Sequence, residues 1–326
     1  MKALVCEAYG PIANLAVKDI PSPVPGPKQL LIEVRSAAVN FPDALMVQGL
    51  YQVKPPLPFT PGAEIAGVVK AVGAEVKHYK PGDRVIALTS TGGFAEECLA
   101  DMARAMPLPA GMDFDAGAAL VLTYCTSLHG LKDCGHLQAG ETLVVLGAAG
   151  GVGISAIEIG KAMGARVIAA ASSDDKLALC RKVGADETVN YSTENLKDRI
   201  NELTAGKGAD VVYDPVGGPY TEPAVRALAW RGRLLIIGFA AGDIPKIPLN
   251  LALLKERSLV GVYWGDSVKH DPAGHLANLH QLHEWFAAGK IRPVVSERYP
   301  LARAAEAVAS IANRQVKGKI VVVPTE

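Results

Sequence analysis

The stretch that most narrows the fold is "TLVVLGAAGGVGISAIEIGKAMGARVIAAASSDDK", residues 142–176. An apolar run meets a knot of glycines, a helical pattern follows, and a second apolar run closes the unit. The same rhythm continues downstream. Strand-like runs fall at Leu143–Gly147, Val167–Ala171, Thr188–Asn190, Val211–Asp214, Leu234–Gly238 and Leu259–Tyr263. Helical patterns lie between most of them, such as Ile154–Met163 and Lys176–Val183. Strands that alternate with helices need crossover connections, and these give a parallel sheet. Six such strands predict a doubly wound α/β sheet of the dinucleotide-binding type.

The two ends of the chain read differently. Residues 1 to about 125 carry short Val/Ile/Leu runs, as in "LLIEVRSAAV", "EIAGVVKAVG" and "GDRVIAL". Proline and glycine punctuate them at Pro23-Val24-Pro25-Gly26, Pro61-Gly62 and Pro81-Gly82-Asp83. This pattern predicts a compact, mostly β domain. The last segment shows helical patterns near Leu276–Ala288 and Leu301–Ala312, then a strand-like "GKIVVVP". That strand is expected to return to the first domain. The expected division is 1–125 with 265–326 for the β domain and 126–264 for the sheet domain.

Composition excludes several classes. Lys plus Arg and Asp plus Glu each number 33, with no block of one sign, so neither nucleic acid nor an anionic membrane is an expected partner. No run approaches the roughly 20 apolar residues that span a bilayer. Five scattered cysteines without CxxC spacing suit a reducing, cytoplasmic setting.

The glycine knot supplies a binding chemistry. A helix N-terminus presents unpaired N–H groups and the positive end of its dipole. Gly150, Gly151 and Gly153 clear side chains from that end, so the backbone of Ala149, Gly150, Gly151 and Val152 can approach a diphosphate. Ala148-x-Gly150-x-x-Gly153 keeps the dinucleotide spacing with alanine at its first position. Gly147 is a candidate for the tight turn. The second strand then selects the adenosine ribose. A terminal Asp or Glu there would accept from a 2′-hydroxyl, and Ala171 holds that place. Ser172 and Ser173 offer hydroxyls, Lys176 a cation and Tyr191 a phenol. Asp174 and Asp175 read as first-turn acids of the next helix, with Ser173 as its N-cap. NADPH is therefore the expected cofactor.

Several segments together carry a resemblance. "GAAGGVG", "PPLPFTPGAEIAGVV", "VGAEVKHYKPGDRVIAL", "DVVYDPVGG" and "GKIVVV" look like the medium-chain dehydrogenase/reductase superfamily. Within it the chain resembles the zinc-independent quinone oxidoreductases, the quinone oxidoreductase-like subgroup in particular. The resemblance implies a GroES-like catalytic domain beside the Rossmann domain. It places the zinc-ligand positions of related alcohol dehydrogenases at Asn40, Ala63 and near Leu122, which supply no three-ligand set. His275, His280 and His283 are the other metal candidates, and a solvated helix face is the expectation for them.

The resemblance also implies site roles. Asn40 would donate its amide N–H₂ to the acceptor oxygen, and Tyr51 would donate a proton. For Asn40 a turn-capping role before Pro42 stays open, and for Tyr51 a role as a lip residue on Pro55 and Pro56. Thr126, at the expected start of a long helix, would touch the nicotinamide ribose or cap that helix. Gly238, Phe239 and Ala240 would run past the nicotinamide. Tyr263 and Trp264 would line the cleft, with core packing the alternative for Tyr263. Lys317 is a further cofactor candidate. The implied activity is NADPH-dependent reduction of quinones. A reductase of enones or enoyl compounds is one rival, and an NADPH-binding sensor or structural protein is another. A homodimer is expected.

Overall fold

The computed structural model describes residues 1–324. The chain opens with β1 (Lys2–Val5), β2 (Ala16–Asp19), β3 (Gln29–Ala38) and α1 (Phe41–Val47). There follow β4 (Glu64–Val72), β5 (Arg84–Leu88), β6 (Glu97–Asp101), β7 (Ala105–Pro107) and α2 (Phe114–Ala118). The middle runs through α3 (Val121–Leu128), β8 (Thr142–Leu146), α4 (Gly151–Ala162), β9 (Arg166–Ala171), α5 (Asp174–Lys182) and β10 (Glu187–Asn190). It continues with α6 (Leu196–Leu203), β11 (Ala209–Asp214), α7 (Thr221–Arg226), β12 (Leu228–Ile236), α8 (Asn250–Leu253) and β13 (Ser258–Gly261). Last come α9 (Trp264–His270), α10 (Pro272–Ala287), β14 (Val295–Pro300), α11 (Ala304–Ala312) and β15 (Lys319–Val323).

Two units form. The second, Thr123–Arg292, is built on a six-stranded parallel sheet of order β10-β9-β8-β11-β12-β13. In unit numbering this is 3-2-1-4-5-6, the doubly wound dinucleotide order. Leu143, Val144, Val145 and Leu146 of β8 have no exposed surface, so both faces of this strand are covered, as a central parallel strand requires. Each such side chain contributes about 1.5–3 kcal/mol by burial. The sheet order reverses between β8 and β11, and the glycine knot follows the carboxyl end of β8.

The first unit joins Met1–Leu122 to the stretch from Pro293 onward. Its seven-stranded sheet runs β14-β15-β3-β4-β5-β7, with β6 on β3. The closing strand pairs antiparallel with β3, Val321 opposite Ala38 and Val322 opposite Ala37. All five of its residues are buried, four of them the apolar run Ile320–Val323 and the first Lys319.

Three local expectations need correction. The chain leaves the sheet unit at 292/293, not at 264/265. The reason is α10, which docks on the second unit: Lys132 Nζ donates to Asn278 Oδ1 and Gln281 Oε1, both at 2.9 Å. The sixth strand ends at Gly261, so Tyr263 and Trp264 lie beyond it, at the start of α9. Thr126 is inside α3 and not at its start, because the helix begins at Val121. Among the described residues no helix is long and apolar enough to cross a membrane.

Candidate functional site

In the second unit the glycine knot builds a bare helix end. Gly147 turns with φ +55° and Gly150 is the N-cap of α4. The first intrahelical bond runs from Ile154 N–H to Gly150 O at 2.8 Å. The N–H groups of Gly151 and Val152 therefore belong to the open first turn. A Cβ at Gly153 would sit 2.5 Å from Gly147 O and 2.6 Å from Ala148 O. Only glycine lets α4 start this close to the turn. A Cβ at Gly150 would meet nothing nearer than Gly147 O at 3.4 Å, so that side of the cradle is open. Space, donors and dipole suit a diphosphate.

The second strand sets the charge preference. β9 ends at buried Ala171, and no carboxylate stands there. Lys176 Nζ lies 3.3 Å from Ser172 Oγ, and Ser173 Oγ accepts from Lys176 N–H as the N-cap of α5. The Asp174 carboxylate accepts from Asn190 Nδ2 at 2.9 Å. Tyr191, half-buried, has its ring 4.3 Å from that of Tyr220. Two hydroxyls and an ammonium thus surround the place where a carboxylate would repel a phosphate ester.

The first unit holds a buried charged cluster that local sequence reading did not find. Asn40, Asp43, Glu64 and Lys319 are all at most 4% exposed. Lys319 Nζ donates to Asn40 Oδ1 at 2.5 Å and to Val39 O at 3.2 Å, and lies 3.8 Å from Glu64 Oε2. An ammonium has only donors, so Asn40 must turn its carbonyl toward it. The amide nitrogen then faces Glu64 Oε2 and Ala38 O, both at 3.3 Å. Both amide hydrogens are thereby committed inside the protein. The amide nitrogen expected to donate to an acceptor oxygen is thus held beside Glu64 and Ala38 O. Asp43 accepts from Asn40 N–H at 2.8 Å and Gly62 N–H at 3.3 Å, and Glu64 Oε1 accepts from Leu122 N–H at 2.8 Å.

Burial dominates the titration of the cluster. It pushes Asp43 up to about 7 against the pull of its hydrogen bonds and of Lys319. It raises Glu64, and it lowers Lys319 in spite of both carboxylates. A zinc ion has no ligand set at Asn40, Ala63 and Leu122. Only Asn40 offers a donor atom, and its oxygen is taken by Lys319. The signal available in sequence was a charge inside an apolar run: "GKIVVV" and "AEIAGVV" each place one where the strand is fully buried.

The remaining predicted residues are scattered over both units. Tyr51 is half-buried against the first unit's core, and nearby Tyr9 gives its hydroxyl to Pro55 O. Lys317 is half-buried in the turn before β15, in the first unit. In the second unit, Gly238, Phe239 and Ala240 form the loop after β12, with Ala240 N–H on Pro215 O at 3.1 Å. Tyr263 is 59% exposed, which removes the core reading. Trp264 packs on His275, ring centroids 5.7 Å apart. His275 and His283 are half-buried and only His280 is exposed, so the solvated-face expectation holds for one of the three. Among the described residues no three His, Cys, Asp or Glu converge on a metal position.

Comparison with known proteins follows from this architecture. Residues 26–153 match the alcohol dehydrogenase GroES-like domain family, and residues 151–281 match the zinc-binding dehydrogenase family. A quinone oxidoreductase-like protein 2 homolog of Nematostella vectensis is 38% identical over 98% of this chain and 88% of its own. The Escherichia coli quinone oxidoreductase complexed with NADPH is 28% identical with a TM-score of 0.91, covering 99% of this chain and 100% of that one. The CurK enoyl reductase is 27% identical with a TM-score of 0.88, covering 99% and 98%. Fold, cradle and relatives agree: the chain is an oxidoreductase of the medium-chain dehydrogenase/reductase superfamily and belongs to its quinone oxidoreductase-like family.

Proposed function

We propose that this chain is an NADPH-dependent, zinc-independent reductase of quinones. The observation that carries the cofactor is the end of β9, where Ala171 replaces a ribose-binding acid and Ser172, Ser173 and Lys176 stand together. The backbone N–H groups of Gly151 and Val152 would hold the diphosphate, and Lys176 with the two serines the 2′-phosphate. Reduced nicotinamide, when bound, supplies the hydride. Quinones accept hydride with little acid catalysis. That suits a first unit whose Asn40, Asp43 and Glu64 are buried and hydrogen-bonded to one another, to Lys319 and to backbone groups. The name of the Escherichia coli relative supports the same acceptor class. β13 is the last strand of its sheet, and its open edge is where a second copy would pair.

Titration with NADPH and NADH tests the cofactor. NADPH is expected to bind at least about tenfold more tightly, and Lys176→Ala to remove most of that preference while leaving NADH binding unchanged. Equal binding of the two coenzymes by the unaltered chain overturns the reading.

Reduction of an activated alkene is the second reading, supported by the likeness to an enoyl reductase and by the phenol of Tyr51. That reaction needs a proton at carbon, which Tyr51 would hold at its phenolic oxygen. Steady-state assays with a quinone and an enone separate the two. Tyr51→Phe is expected to abolish enone reduction and to spare quinone reduction. A protein that only binds the coenzyme would turn over neither.

A further inference from the structure

Outside the dinucleotide cradle, the second unit carries three reactive side chains on one helical turn. α3 passes into a π-helical turn, His129–Cys134, closed by Gly135 N–H on Gly130 O at 2.8 Å. An α-helix repeats every 3.6 residues and sets positions five apart on different faces. The wider i→i+5 turn brings them together, and such turns recur at functional sites. Here His129 therefore faces both Asp133 and Cys134. Its Nδ1 lies 2.9 Å from Asp133 Oδ2, and its Nε2 lies 3.4 Å from Cys134 Sγ. Asn278 of α10 fixes the carboxylate from the far side, donating to Asp133 Oδ2 at 2.8 Å.

We propose that Cys134, His129 and Asp133 form a nucleophilic thiol site that adds to electron-poor alkenes conjugated to a carbonyl. The thiol, the base and the group that orients the base stand in the order such chemistry requires. The Sγ proton leaves to solvent, the protonated His129 ring holds the thiolate through Nε2, and the sulfur attacks the β-carbon of the alkene. A C–S bond forms, the alkene π pair moves toward the carbonyl, and the α-carbon takes a proton from His129, which solvent restores. No oxidant or reductant is consumed. Asp133 first, and then Cys134, push His129 up to about 9, so this ring holds a proton readily. The other charged groups nearby are Lys132, His275 of α10 and Arg233 of β12. Lys132 gives its ammonium to Asn278 and Gln281, and Arg233 binds Gly135 O and Glu141. Burial lowers His275 first, and its charge repulsion with His129 second.

The other cysteines offer a contrast within the same chain. Cys6, Cys98, Cys125 and Cys180 are buried, whereas Cys134 is half-buried and within reach of solvent. Burial pushes Cys98 and Cys180 up to about 12.

Acrylamide is the probe. The full chain is exposed to it at neutral pH, digested, and the adduct at each cysteine is quantified over time. In the native chain Cys134 is expected to react at least about tenfold faster than the same cysteine in urea. His129→Gln is expected to abolish that advantage and Asp133→Asn to reduce it several-fold. Cys134→Ser should leave quinone turnover unchanged. A native rate at or below the unfolded rate overturns the proposal without any variant. So does a folded His129→Gln chain, checked by circular dichroism, that reacts as fast as the unaltered one.

Discussion

Lys319 shows how one side chain can organise a site that local sequence does not display. The residue is 4% exposed, and its ammonium joins Asn40 Oδ1, Val39 O and Glu64. Removing one partner of a buried pair leaves the other charge without compensation, which costs about 3–5 kcal/mol. Lys319→Met is therefore expected to lower the urea midpoint strongly. Adding Glu64→Gln to it should recover part of the loss, because the stranded carboxylate is then gone. A single variant as stable as the unaltered chain would show that the pair adds nothing. Asn40 was legible in sequence as a polar residue at a meaningful place. The direction of its amide was not, because a residue 279 positions away sets it.

The helix α4 and its leading turn make the clearest case for local determination. Residue order alone placed the glycines, the strand before them and the helix after them, because each follows from neighbours within a few positions. Two alanine variants separate fold from binding here. Gly153→Ala puts a Cβ 2.5 Å from the backbone oxygen of Gly147, so α4 must move. The expected loss is about 1–3 kcal/mol of stability together with loss of coenzyme binding. Gly150→Ala meets only ordinary contact, at 3.4 Å, and its φ of −81° suits alanine. Its melting temperature should stay put while NADPH affinity falls, since the methyl fills the open cradle. The π-helical turn after α3 escaped the sequence reading. Its spacing departs from the helical period by which helices are recognised, and it is held by contacts with α10.

The stability of the chain as a whole is tied to pH through its buried acids. Glu158 of α4 accepts from Tyr124 Oη at 2.5 Å and from Arg292 N–H at 3.1 Å. Burial pushes it from 4.5 up to about 7. The folded state then keeps a proton that the unfolded chain has released. Its stabilising contribution is full below pH 4.5 and is lost as pH rises through about 7. Glu158→Gln cannot ionise, so its stability relative to the unaltered chain should rise between pH 4.5 and 8, by on the order of 1–3 kcal/mol. A pH-independent difference in melting temperature would refute the assignment. The parallel sheet, the bare helix end and the acid-free close of β9 were readable from residue order. Hydrophobic period, glycine spacing and the residue at a strand's end are properties of a short stretch of chain. The closing strand's register on β3, the docking of α10 and the Asn40–Glu64–Lys319 cluster were settled by folding. Each joins residues that are distant in sequence, and a charge or an amide finds its partner only when packing removes water from both.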